Sequence, residues 1–497
     1  MRESGILMHI TSLPGPYGIG SLGAPARAFV DFLASAGQSW WQVLPLNPTG
    51  FGNSPYQALS SFAGNPYLLD LEELSSLLTR QELEDARWQG RADRVDYGYL
   101  YDTRPRLLRQ AVSRFQPDAD YGDFCRRQDW LADYALFQAL KEQFGGGSWL
   151  SWPEELRQHQ PEALDRCREQ LRQELDYHQK VQYLFFRQWQ ALRDYAAGKG
   201  IRFIGDVPIY VPLDSADVWA NPELFQLDGE NRPVQVAGVP PDAFNTDGQR
   251  WGNPLYDWPK HRQTGYDWWI RRLRSAGRMV QMIRLDHFRG FSDYWAVPAG
   301  EQTAKHGAWQ PGPGLDFLQT VRQKLPELQF LAEDLGYLTR QVRLLRQAAG
   351  MPGMRVLEFA FDSPGDNEDL PHRYPIECVC YTGTHDNPPV GQWLRELEPE
   401  RLARARAYLG LNDLEGEIWG VIRGGMASAA QLFVAQMQDY LELGREARMN
   451  LPGTCSPDHW AWRAGAQACS PELAERIRTM TRRYGRCAGT EREETMV

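Results

Sequence analysis

Three apolar segments each run into a carboxylate. Asp286 follows MVQMIRL, Glu333 follows LQFLA and Asp386 follows CVCYTGTH, while a fourth acid, Asp206, lies within IRFIGDVPIYV. A single acid at a strand end often serves a neighbouring loop as a hydrogen-bond acceptor, or caps a helix. Three of them, flanked by Arg284, His287 and His385 in loops rich in Trp and Tyr, point instead to a shared cleft. In a (β/α)8 barrel the C-terminal strand ends converge on the face where active sites sit, so side chains remote in sequence meet there.

Carboxylates gathered in one cleft suit two chemistries. Asp286-His287, Glu333-Asp334 and His385-Asp386 contain ligand types for a divalent ion. The alternative is glycoside chemistry, in which one carboxylate attacks the sugar and another, protonated, serves as general acid. A separation of about 5–5.5 Å between those two gives retention of configuration. Histidines spaced H-x-H or H-x-x-x-H would favour the metal, and none of the nine His has that spacing. Arg284 lies two residues before Asp286 on the same strand face, and Arg289 follows shortly. A guanidinium there keeps a nucleophilic carboxylate ionised and disfavours an adjacent divalent cation. Glycoside chemistry is the preferred reading, with no metal and no cofactor.

The segments that carry these acids alternate strand and helix. The first 46 residues read as a strand (GILMHIT), a Pro/Gly loop, a helix from Ala24 to Ala36 with Pro25 at its start and Gly37 as its stop, and a buried strand (SWWQVLPL). This βαβ order implies parallel pairing. Residues 71–199 are charged, rich in Leu, Arg and Gln, and helical in period. That stretch is too long for one crossover and is read as a helical insertion; 212–262 is read as an active-site loop insertion. Strand and helix then alternate through MVQMIRLDHF, LQFLAED, MRVLEFAF and CVCYTGTHDN, and the last 110 or so residues read as mostly helical with a frayed polar end. The expected fold is α/β: one (β/α)8 TIM barrel spanning 1–497, with the helical insertion and long active-site loops.

Composition adds exclusions. The 497 residues hold 54 basic and 64 acidic side chains, a net charge of −10, which argues against a nucleic-acid partner. No apolar run reaches the roughly 18 residues of a membrane helix, and the N-terminus lacks a convincing signal peptide, so a cytoplasmic protein is expected. Seven scattered Cys without a CxxC fit reduced thiols. Gly18, Gly20 and Gly23 spell G-x-G-x-x-G, but LPGPY separates them from the strand and no acid follows between Asp31 and Asp70, so a dinucleotide site is rejected. Eighteen Trp and 21 Tyr fit either a large core or a concave site with stacking platforms.

Eight motifs in consistent order, from Gly5 to about Arg463, carry a resemblance. They are GILMHITSLPGPYGIGSLG, GFGNSPYQALSSFAGNPYL, GDVPIYV, GVPPDAFNTDGQRWGNPLYDW, IRLDHFRGF, LAEDLG, YTGTHDN and RMNLPGTCSPDHWAWR. The chain resembles the amylomaltase-type 4-α-glucanotransferases (disproportionating enzymes), relatives of the retaining α-amylases. The resemblance implies that Asp286 is the nucleophile, Glu333 the general acid/base, and Asp386 the residue that holds the sugar hydroxyls and stabilises the distorted ring. It implies that Arg284 and His385 support the same subsite, and that Tyr56, Asp242, Phe244, Trp251 and Asn253 belong to sugar-stacking and lid elements. Ser54, Asp206 and Asn450 join the implied substrate-binding set. The implied substrates are maltooligosaccharides or α-1,4-glucan, as donor and acceptor. Glu333 would need a raised pKa, through desolvation or nearby negative charge, to be protonated before bond cleavage. Trp258 and Trp268 are equally readable as plain core. The sequence departs from relatives at His459, where Asn is common before Trp, and at Ser21, where Asp is usual; the extra N-terminal module of some relatives is expected to be absent.

Overall fold

The computed structural model describes residues 2–241, 245–336, 338–363, 365 and 367–487. In chain order its strands are β1 (Glu3–Leu7), β2 (Trp40–Gln42), β3 (Arg202–Pro208), β4 (Gln235–Val239), β5 (Gln249–Pro254), β6 (Met282–Asp286), β7 (Asp293–Pro298), β8 (Ala308–Pro311), β9 (Gln329–Ala332), β10 (Gly353–Val356), β11 (Cys378–Tyr381) and β12 (Leu432–Gln436). Eight of them pair in the order β10-β11-β12-β1-β2-β3-β6-β9, every pair parallel. Where β9 meets the start of β10, the Ala332 amide donates to the Pro352 carbonyl at 3.0 Å. With helices on its outside, this is the (β/α)8 barrel.

The first strand is shorter than GILMHIT suggests. It stops at Leu7, and Ile10–Ser12 form a single 3-10 turn. The glycines after it serve close packing. A Cβ on Gly20 would stand 1.9 Å from the Ile10 carbonyl oxygen, and one on Gly23 would stand 2.3 Å from the Asp70 side chain. Ser21 donates to the same Asp70 at 2.6 Å, which accounts for its place in the loop.

Two segments differ in kind from their sequence reading. Leu432–Gln436, inside the stretch read as helical, is the eighth barrel strand. It is buried at every position, so it shows no alternation, and a short continuous apolar run cannot be told from a buried helix by period. Within 212–262, read as loop, β4 and β5 form half of a four-stranded antiparallel sheet ordered β5-β4-β7-β8. Residues 71–199 contain seven α-helices.

The longest helix, Arg172–Gly198, shows why it docks where it does. Val181, Leu184, Phe185, Gln188, Trp189, Leu192 and Ala196 recur at helical spacing and are buried. Trp189 meets Phe203 of β3 at 5.0 Å between ring centres, and Phe203 meets Trp41 of β2 at 5.2 Å. Two glutamines on this face clamp the chain that follows β2. The Gln182 amide bonds both the N–H and the C=O of Gly64 (2.7 and 2.9 Å), and Gln188 does the same for Asp70 (2.8 and 3.0 Å). The far end of the loop that carries Tyr56 is therefore pinned to the helix.

Trp258 and Trp268 are both buried, in an aromatic cluster with Tyr256, Trp269, Phe291 and Phe317. At the opposite end of the barrel, Arg486 is fully buried. It donates to the carbonyls of Glu3, Met426, Ser428 and Ala430 at 2.8–3.0 Å. Arg486→Ala removes a buried cation that four carbonyls share, two of which (Met426 and Ser428) keep a donor in Arg2, and should cost about 2 kcal/mol or more of stability. A denaturant midpoint equal to that of the wild type would contradict this.

Candidate active site

The central constellation follows from strand register. Asp206 on β3 lies opposite Arg284 on β6, and Arg284 and Asp286 share a face of their strand. One guanidinium nitrogen, Nη1 of Arg284, donates to Asp206 Oδ2 at 2.6 Å and to Asp286 Oδ1 at 2.8 Å. The Arg284 and Asp206 side chains are buried, whereas Asp286 stays 26 % exposed toward the cleft. A buried, doubly paired guanidinium orients the Asp286 carboxylate and leaves its other oxygen outside this pair.

Glu333 stands just past β9. Its Oε2 accepts the His287 amide at 2.8 Å and its Oε1 the Leu335 amide at 2.9 Å. His287 has a left-handed backbone (φ 51°), an uncommon choice for a non-glycine residue. That turn follows Asp286 directly and aims the next amide at Glu333. Burial pushes the Glu333 pKa up to about 7; Arg284 opposes the shift, the Asp286 charge adds to it, and the Leu335 amide opposes it. Burial also brings His287 down to about 4, so its imidazole is neutral at pH 7.

Asp386 sits in the turn beyond β11 rather than on the strand itself. Asn450 donates to its Oδ1 at 2.6 Å, Arg448 donates to its carbonyl at 2.9 Å, and His385 Nε2 lies 3.5 Å from its Oδ2. Tyr56 completes the floor. Its hydroxyl donates to Asp206 Oδ2 at 2.7 Å, and its ring stacks on His385 at 5.0 Å with 16° between planes. Ser54 Oγ accepts the Tyr56 amide at 3.2 Å and so shapes the turn under that ring.

One profile and several relatives match this chain. The 4-alpha-glucanotransferase family profile covers residues 8–467. The chain belongs to that family. It is 48 % identical over 494 residues to the 4-alpha-glucanotransferase of Thermus thermophilus (96 % of this chain, 98 % of that one). It is 43 % identical to the 4-alpha-glucanotransferase of Clostridium butyricum (97 % and 100 % covered). Among solved structures, amylomaltase from Streptococcus agalactiae in complex with acarbose superposes with a TM-score of 0.96 at 40 % identity, over 98 % of this chain and all of that one. As a member of the 4-alpha-glucanotransferase family, the protein is a sugar-transferring enzyme.

Within this 4-alpha-glucanotransferase, Asp206, Arg284 and Asp286 meet directly, and Tyr56 ties Asp206 to His385. Asn450 meets Asp386. Trp251 lies on β5 with its ring edge-on to His287 at 4.9 Å, and Asn253 is buried on the same strand. Asp242 and Phe244 lie outside the described residues. Three further groups were not singled out from the sequence. Trp460, with ring centres 5.8 Å from Tyr56 and 5.9 Å from His385, walls the same floor. The Arg448 guanidinium holds the Asp386 carbonyl, and the His287 main-chain amide holds the Glu333 carboxyl. The motif RMNLPGTCSPDHWAWR contains the first two, but only contact partners reveal why they matter. His459 sits beside Trp460, with Nε2 at 3.5 Å from Thr454 Oγ1.

Proposed function

We propose that the protein moves α-1,4-linked glucan segments between maltooligosaccharides by double displacement with retention of configuration. Asp286 attacks the anomeric carbon while Glu333 gives its proton to the glycosidic oxygen, and the reducing-end fragment departs. The 4-hydroxyl of an acceptor glucan then attacks the glycosyl-enzyme, Glu333 takes back the proton, and Asp286 is released. Asp386, fixed by Asn450 and Arg448, holds hydroxyls of the sugar being transferred. Arg284 and Asp206 keep Asp286 oriented, and Trp251 with the residues around it helps exclude water so that a sugar hydroxyl arrives first.

The observation that carries this reading is the asymmetry of two neighbouring carboxyls. Asp286 is hydrogen-bonded to a buried guanidinium, while the hydrogen bonds of Glu333 among the described residues come from main-chain amides and burial pushes it up to about 7. Two titratable groups held in environments that differ this way divide naturally into nucleophile and acid. That the Streptococcus agalactiae amylomaltase was solved in complex with acarbose supports a saccharide as the ligand of this chain.

Incubation with maltotriose alone tests it. Transfer produces glucose together with a ladder of longer and shorter oligosaccharides. Shorter sugars alone would indicate an α-1,4-glucan hydrolase, and no change would indicate a carbohydrate-binding protein. The acid role also sets a pH dependence. Only protonated Glu333 can donate, so kcat/KM for the donor should fall about tenfold per pH unit above an apparent pKa of about 7. A profile flat from pH 6 to 9 would remove Glu333 as the acid.

A further inference from the structure

Glu358 lies in the 3-10 segment Leu357–Phe361 that follows β10, at the same barrel end as the acids already described. Its side chain is buried, and its Oε1 has no hydrogen-bond partner among the described residues. No Lys, Arg or His within salt-bridge distance of it is found among the described residues. Its amide donates to the Thr382 carbonyl at 3.3 Å, and a Cβ on Gly383 would stand 2.8 Å from Oε1. The carboxyl thus packs into the hollow under Gly383, at the root of the turn that bears His385 and Asp386.

The groups that face it are Asp439, Arg448, Asp362 and Asn387. Asp439 is itself buried and accepts from Thr382 Oγ1 (2.6 Å) and the Val390 amide (2.7 Å). Arg448 already donates to the Asp386 and Asn450 carbonyls. The Asn387 side-chain oxygen accepts from the amide and hydroxyl of Thr384 (2.9 Å each), which leaves its amide group toward Glu358. Contacts from Glu358 therefore reach the Thr382–Asp386 turn through Gly383 and Asn387, and its charge state acts on Arg448 through space.

We propose that Glu358 is a positioning residue for glucan transfer, bracing the Thr382–Asp386 turn from beneath so that Asp386 meets the sugar in one orientation. It does so as a carboxylic acid. An ionised carboxylate buried beside Asp439 without a paired cation is strongly disfavoured, and burial with the Asp439 charge holds its pKa well above the usual range. Ionisation would place two negative charges under the turn and draw Arg448 away from the Asp386 carbonyl.

The inference rests on the assignment of Asp386 to the sugar, and the test separates the two. Glu358→Gln keeps shape and neutrality and should retain kcat for maltotriose within about threefold, whereas Glu358→Ala should lose about tenfold or more in kcat with a smaller change in KM. The pH profile reads the proton. Where Glu358 ionises, the slope of log kcat/KM against pH becomes more negative by up to one in the wild type, and Glu358→Gln lacks that step. A brace of shape alone would leave the slope unchanged. Wild-type kcat in Glu358→Ala, a loss in Glu358→Gln as large as in Glu358→Ala, or the same steepening in Glu358→Gln would each overturn the proposal. If Glu358→Ala does not fold, the profile of Glu358→Gln decides alone. Asp386→Asn, assayed alongside, should be nearly inactive. Full activity there defeats the site assignment itself, while an inactive Asp386→Asn beside unaffected Glu358 variants defeats only the brace.

Discussion

Asp286→Asn is expected to lower transfer from maltotriose by on the order of 10⁴-fold or more, with the fold intact. The amide cannot form the glycosyl ester, so no alternative route to the covalent intermediate exists within the site. Stability is spared for a structural reason. Arg284 keeps its 2.6 Å contact with the buried Asp206, so no buried guanidinium is left uncompensated when the exposed partner loses its charge. Turnover near the wild-type value, with thermal unfolding unchanged, would take the nucleophile away from Asp286. If the barrel unfolds early instead, the pairing with Asp206 is weaker than its geometry indicates.

Glu333→Gln should be almost as damaging with ordinary oligosaccharides, a loss of about 10³-fold, yet selective in what it loses. A donor such as a glycosyl fluoride leaves without protonation, so its first half-reaction needs no acid. The variant should release fluoride in a burst and then stall, because Gln cannot deprotonate the incoming hydroxyl. Stopped-flow fluoride release measures this directly. If activated donors fare no better than maltotriose, Glu333 is not the proton donor, and the raised pKa reflects burial without a catalytic use.

The pairing of Arg284 with Asp286 was legible from spacing alone, since alternate residues of a strand share a face. The placement of Asp286 and Glu333 at strand ends followed equally from where apolar runs stop. What local pattern does not encode is the partner across the barrel. Tyr56 was expected as a sugar platform; one face of its ring is covered by His385 and its hydroxyl is bound to Asp206. Those contacts join segments separated by 150 and 329 residues. The eighth strand, Leu432–Gln436, was hidden because complete burial erases alternation. The strands β4 and β5 were hidden for the converse reason. The short Gly-bearing QVAGV and the polar, Pro-bearing QRWGNP match a loop, and only the pairing of β4 with β5 on one side and β7 on the other makes a sheet of them.

The four carbonyls held by Arg486 have a consequence for how the chain comes into being. Glu3 belongs to β1, yet the cation that donates to its carbonyl is made 483 positions later. Strand β12, which lies beside β1, also arrives late. Until then β1 presents an open edge, of the kind that invites wrong pairing. The barrel therefore closes at the β1–β12 seam only after β12 has been made, and in the nascent chain that side of β1 is left without its strand partner until then.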